Sequence, residues 1–220
     1  MNYPPFYGEK MEDKGPLIEI IVRALESQGY KTRILFSPWK RAMLYAKEGK
    51  VADGMVGVWY NDDRAEDFIY SAPIFPNRSG FYKHKEQNIV YTDYQDLVKQ
   101  GYRLGSVIGY IHPKGLEESG IQIEWVPNDI QNLKKLALKR VDLVVVDREY
   151  ARYVLKGLPD IASRIEWMDP VLIEAQQHLI ISRKTKNAHV IIDAFNTGLE
   201  LLRQTGNFDE IIQKHGLKPQ

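Results

Sequence analysis

The sequence has no cysteine among its 220 residues, which excludes disulfides, cysteine-ligated metal sites and thiol nucleophiles together. The absence leaves the redox compartment open, since a cysteine-free chain tolerates either environment. No apolar run approaches the ~20 residues that cross a bilayer, and no secretion leader is visible. Neither sign of charge is in excess. The net charge is +1 and the basic residues are scattered rather than blocked into a tail, which argues against nucleic acid as the partner. Low-complexity tracts and solenoid repeats are also missing. The five histidines, His84, His112, His178, His189 and His215, lack metal-ligand spacing. Gly101, Gly105 and Gly109 fit no phosphate-loop fingerprint, and no Gly-x-Ser-x-Gly elbow occurs. No catalytic residue, metal or cofactor is therefore expected.

What is present is ordinary globular material, 44% hydrophobic and 11% aromatic, in a length that suits one large or two modest domains. The chain is organised around residues 36–73. Phe36 ends a strand expected over residues 30–36. Ser37 is placed as a helix N-cap with Pro38 at the first helical position, and Gly49 suits the stop. Met55, Val56 and Val58 make an apolar run short enough for a buried strand. An irregular turn carrying Arg64 follows. Parallel sheets present ligand groups at the carboxyl ends of their strands, and Arg64 lies just past such an end. Its planar fork suits a small molecule's carboxylate. The competing role is a surface salt bridge with Asp62, Asp63 or Glu66, worth little.

Before this stretch, residues 2–7 read as an extended loop presenting Tyr3 and Phe6, because Pro4 and Pro5 forbid a helix or central strand. A helix follows Pro16 with Leu17, Ile18, Ile21, Val22 and Leu25 on one face, ended by Gly29. After it, a polar connector at 83–87 leads to a short helix at Thr92-Asp93-Tyr94-Gln95. Strands are expected at 104–108, 121–126, 141–146 and 178–182, with Gly109 to Pro113 a turn. Asn128 caps a helix burying Ile130, Leu133 and Leu136. Asp147 starts another helix, whose inward face is Tyr150, Ala151 and Val154; a capping aspartate keeps lone pairs for a ligand ammonium. Helices at 188–202 and 208–215 close the chain. A helix, a basic-acidic turn and an apolar strand occur twice, the first copy ending near Arg64 and the second at Asp147. Two lobes offering opposite charges suit a zwitterion. Trp39, Trp59, Tyr3 and Tyr110 are candidate apolar walls. Arg41 reads as solvated.

The chain resembles the family 3 extracellular solute-binding proteins, the polar-amino-acid receptors of bacterial ABC importers. The pieces that carry the likeness are Tyr3-Pro4-Pro5-Phe6, Gly15-Pro16-Leu17-Ile18, Pro38-Trp39, Gly49 to Asp53, Arg64 with Phe68 and Ser71-Ala72-Pro73, Gly109-Tyr110, Arg140-Val141-Asp142 with Asp147, and Gly206 to Ile211. The resemblance implies an α/β, two-lobed periplasmic binding protein type II fold with mixed sheets flanked by helices and two hinge crossings. Residues 1–84 and 180–220 would form one lobe, residues 85–179 the other, with a cleft between them that closes on an amino acid or similar zwitterion. It implies Arg64 on the α-carboxylate, Asp147 on the α-ammonium, Tyr3 and Trp39 flanking the ligand, Gly57 and Trp59 on the strand before the arginine, and Tyr110 in a loop of backbone donors. Many relatives carry small hydroxyl residues where Val56, Gly57 and Trp59 stand. The implied setting is periplasmic, as a monomer serving an inner-membrane ABC permease, without cofactor. Met1 opening almost directly on Tyr3-Pro4-Pro5-Phe6 is expected to follow a removed or absent leader and first strand. Two alternatives share the fold: a cyclohexadienyl-dehydratase-like enzyme with Glu174 or Asp147 as general acid, and a sensor domain of a membrane receptor.

Overall fold

The computed structural model describes residues 2–218. The chain divides into two compact units, one made of residues up to Pro76 and from Ala175 on, the other of Asn77–Glu174.

In the first unit come α1 (Pro16–Ser27), α2 (Trp39–Glu48), β1 (Gly54–Trp59), α3 (Asp62–Asp67) and β2 (Phe68–Tyr70), and the chain leaves along β3 (Phe75–His84). The second unit holds α4 (Tyr94–Lys99), β4 (Arg103–Val107), β5 (Gln122–Val126), α5 (Asp129–Ala137), β6 (Leu143–Asp147), α6 (Arg148–Lys156) and α7 (Pro159–Ala162). The chain returns along β7 (Ile165–Ser182), and α8 (Ala188–Gln204) and α9 (Asn207–Lys214) complete the first unit.

The middle strand of the first unit is β7, with β1 and β2 both antiparallel to it. Side chains alternate across a strand. Leu179 and Ile181 therefore join the core of α1, α8 and α9, while Ile180 faces Ala46, Val58 and Phe68. On α1, Leu17, Ile18, Ile20, Ile21, Ala24 and Leu25 are buried, and Val22 lies at the edge of the cluster. Helices α1 and α8 meet without an intervening side chain: a Cβ added to Gly198 would lie 2.0 Å from the Ala24 carbonyl oxygen.

An ion network around one buried carboxylate ties α9 to α1. Glu19, 4% exposed, accepts from Lys214 Nζ at 3.1 Å and pairs with His215 Nε2 at 2.8 Å and with Arg23. Burial alone would raise this carboxyl, but the hydrogen bonds from His215 and Lys214 and the Arg23 charge outweigh it and hold it below the usual range. A carboxyl held low in the folded state adds stability above its unfolded pKa and loses it as pH falls through the folded value. Glu19→Gln is therefore expected to cost about 2–3 kcal/mol at pH 7. In urea melts the gap from wild type should shrink as pH falls below about 4; a gap unchanged at low pH would contradict the charge-based account.

In the second unit, β4 pairs parallel with both β5 and β6, and β3 runs antiparallel to β6 with β7 on its other side. Every residue of β6 is buried, as expected of a strand covered on both faces. Phe81, Leu97, Leu104, Leu116, Leu143 and Val145 form the core.

Several expectations change. Residues 30–36 do alternate between exposed and half-buried, but they form no strand, because no neighbouring strand among the described residues takes up their backbone groups. Helix α2 starts one residue later, so Pro38 is itself the N-cap and Ser37 precedes it; Gly49 ends the helix at φ 66° as read. Residues 3–7 turn back on themselves rather than extend, with Tyr3 N donating to Tyr7 O at 2.8 Å. The short helix of the second unit is capped by Asp93 rather than Thr92. Strand β7 is far longer than 178–182, and Ile130 points outward.

Candidate functional site

In the first unit the candidate residues gather at the end of β1. The pairing of β1 with β7 skips a residue between Val56 and Val58, leaving Gly57 as a bulge at φ 71°. A Cβ there would stand 2.7 Å from the Tyr7 ring and 3.2 Å from Gln177 Oε1, so the bulge requires glycine on both counts. Two residues on, Trp59 ends the strand. Asn61 then caps α3, its Oδ1 accepting from Arg64 N at 3.1 Å, which turns the irregular segment of the sequence reading into a short helix with Arg64 inside it.

Arg64 is half-buried. Its Nη1 donates to the Trp59 carbonyl at 3.4 Å, and its guanidinium carbon lies 5.9 Å from the Trp39 ring centroid, within cation–π range. The Tyr70 hydroxyl donates to the same carbonyl at 3.2 Å, and the Tyr70 ring meets His178 edge-on at 5.5 Å. Three acids flank Arg64 in sequence, yet among the described residues it forms no ion pair; the nearby Asp67 pairs with Lys47 instead. Tyr3 stacks on Phe6 at 5.7 Å and lies 6.0 Å from Tyr7, whose ring abuts Gly57; Phe6 is buried. Gln177, fully buried beside Gly57 with neither amide atom partnered among the described residues, escaped the sequence reading.

In the second unit Asp147 ends β6 and caps α6. Its Oδ1 accepts from Tyr150 N at 2.8 Å, and its Oδ2 accepts from Asn77 Nδ2 at 3.0 Å and Arg78 N at 3.1 Å. The residue is 1% exposed. Burial pushes its carboxyl up to about 6 against these donors. Tyr110 donates its hydroxyl to Asp129 Oδ2 at 2.6 Å. Asp129 also escaped the sequence reading. It is 3% exposed, and burial pushes it up to about 7, the Asp147 charge adding to the rise. Glu174, the other acid considered for proton transfer, is exposed and ion-paired to Arg78 at 2.7 Å.

Between about pH 4 and pH 7 the folded chain keeps a proton on Asp129 that the unfolded chain has released. Stability then falls as pH rises, at up to about 1.4 kcal/mol per pH unit for one proton. Thermal melts of Asp129→Asn across this window should show a shallower decline than wild type. Parallel curves would mean that Asp129 titrates normally.

This mixed α/β fold is that of the type II periplasmic binding proteins. Two solved structures show it at low sequence identity: a histidine kinase sensor domain with similarity to periplasmic binding proteins (TM-score 0.83, 19% identity, 99% of this chain and 94% of that one), and ArtJ, an arginine-, lysine-, histidine-binding protein from Geobacillus stearothermophilus (TM-score 0.77, 16% identity, 99% and 93%). The chain belongs to the bacterial extracellular solute-binding proteins, family 3, matching that family over residues 1–218. A probable histidine-binding protein of Campylobacter jejuni is 24% identical over 223 residues, spanning 99% of this chain and 82% of the relative. No helix among the described residues is long and apolar enough to cross a membrane.

Proposed function

We propose that this chain is the periplasmic substrate-binding component of an ABC importer and that it captures an amino acid or similar small zwitterion without chemical turnover. The observation that carries the reading is Arg64: a half-buried guanidinium at a strand end, bordered by Trp39, Trp59 and Tyr70, without a carboxylate partner among the described residues. Such a group lacks only the anion that its fork fits. The ligand's α-carboxylate takes that place, and the Gly57 bulge lets the backbone come close beside it. Asp147 accepts the α-ammonium through its remaining lone-pair capacity, with Tyr3 and Tyr110 as further walls. Contacts from both units favour a closed cleft, since a ligand shifts a conformational equilibrium only through differential affinity. The protein acts as a monomer, and its closed form is what the permease recognises.

Family membership supports the receptor role, and the names of the Campylobacter and Geobacillus proteins support an amino acid as ligand. A sensory output for the same site is the second reading, favoured by the likeness to a kinase sensor domain. Calorimetric titration with the common amino acids tests the ligand class, and Arg64→Ala tests the site: binding in wild type and none in the variant is the expected pair of results. A cognate importer whose ATPase rate does not respond to the liganded protein would move the output from transport to sensing.

A further inference from the structure

Strands β5, β4 and β6 are parallel, so their carboxyl ends lie on one side of the second unit, the side where such sheets present ligand groups. Asp147 ends β6, Tyr110 lies on the turn after β4, and Asp129 opens α5 directly after β5. On α5 the buried positions are Asp129, Asn132, Leu133, Leu136 and Ala137, the spacing of one helix face. Two of the five are polar, and they are poorly satisfied. Among the described residues Asp129 Oδ1 has no hydrogen-bond partner, and Asn132, fully buried, has none at either Nδ2 or Oδ1. The Asn132 amide lies against β4, its Oδ1 2.6 Å from where a Cβ on Gly105 would stand.

Buried polar atoms without partners are rare because each costs free energy. Charge compensation is missing as well: among the described residues neither Asp129 nor Asp147 has an ion pair. The neighbouring cations are engaged elsewhere, Arg78 with Glu174, Lys135 with Glu124, and Arg148 over the Trp167 ring. Asp129 Oδ1 at the ligand-presenting end and Asn132 Oδ1 one helical turn further in, both without a donor among the described residues, are complementary to a nitrogen group that brings several.

We infer that Asp129 and Asn132 form a second recognition point in this unit, beside Asp147, for a cationic nitrogen on the ligand's side chain, so that the ligand is an amino acid ending in an amine, guanidinium or imidazolium. This inference rests on the reading of Arg64 and Asp147 as the zwitterion site. Asp147 holds the α-ammonium, and Asp129 with Asn132 holds the distal group.

Calorimetry with L-lysine and its uncharged analogue L-norleucine, and with L-arginine and its uncharged analogue L-citrulline, tests it on the full chain. Wild type should prefer each charged member, and Asp129→Asn should reduce that ratio by about tenfold or more. Should Asp129→Asn fail to give a cooperative melt, Tyr110→Phe, which removes the hydroxyl that orients the carboxylate, should lower the same ratio. Equal affinities within each pair in wild type would overturn the inference, as would an unchanged ratio in the folded variants. Arg64→Ala separates the two levels. Loss of all binding in Arg64→Ala with an intact ratio in Asp129→Asn overturns only the second recognition point. Retained binding in Arg64→Ala, or no binding of any amino acid to wild type, overturns the underlying reading and this inference with it.

Discussion

Gly198→Ala should lower the melting temperature by roughly 10 °C, although it adds only a single methyl group. In an exposed helix the same change would stabilise by up to about 1 kcal/mol, because alanine is the better helix former. Here the sign reverses. The new Cβ would lie 2.0 Å from the Ala24 oxygen, 2.6 Å from its carbonyl carbon and 2.9 Å from its Cα, all backbone atoms that no rotamer change can move aside. Helices α1 and α8 would have to separate, loosening Ile20, Phe195 and Leu199 along the contact. A penalty of about 3 kcal/mol follows from overpacking a core of this kind. Thr197→Ala, one residue away and exposed, is the control that should leave the melt almost unchanged. A Gly198→Ala protein melting at or above wild type would show that the two helices can part freely.

Arg64→Ala is expected to weaken amino-acid binding by about 100-fold or more, because removing one partner of a desolvated, hydrogen-bonded charge pair costs about 2–5 kcal/mol. The fold should survive. Among the described residues the side chain donates a long hydrogen bond to the Trp59 carbonyl and meets the Trp39 ring, contacts that do not hold core elements together. Arg64→Lys keeps the charge but loses the planar fork, so its affinity should fall between the two. Melting curves with and without ligand separate these effects: the variant's ligand-free melt should match wild type, and the ligand-induced shift should vanish. A full shift in Arg64→Ala would remove the carboxylate role from this residue.

Much of the fold follows from local pattern. The apolar run of β6, the amphipathic face of α1 and the glycine ending α2 are all legible because period and punctuation are written in neighbouring residues. Arg64 and Asp147 stand out as candidates for the same reason, one just past and one at the end of an apolar strand. What stayed hidden depends on partners distant in sequence. Residues 30–36 have the alternation of a strand but no ladder to join. The first half of β7 contains Asp169 and Pro170, which locally argue against a strand, and its pairing partner is some eighty residues earlier. Asp129 and Asn132 are hidden because an apolar neighbour, Ile130, reads as the inward position at the start of the helix. Leu133 and Leu136 are buried as expected, but reading Ile130 as the third inward position in place of Asp129 and Asn132 turns the two buried polar groups into apparent surface. Gln177 shows the same limit: nothing near it in sequence shows that its amide ends beside the Gly57 bulge.

The first unit is assembled from both ends of the chain, whereas the second is one continuous segment. The order of synthesis therefore matters. When Glu174 leaves the ribosome, the second unit has all its strands, but α1 still lacks the helix against which Gly198 brings it into backbone contact. Its apolar face, from Leu17 to Leu25, stays without cover until α8 emerges. A nascent chain halted at that point should give one protease-resistant core, from the later segment, and a cleavable amino-terminal third that becomes resistant only when the last two helices arrive.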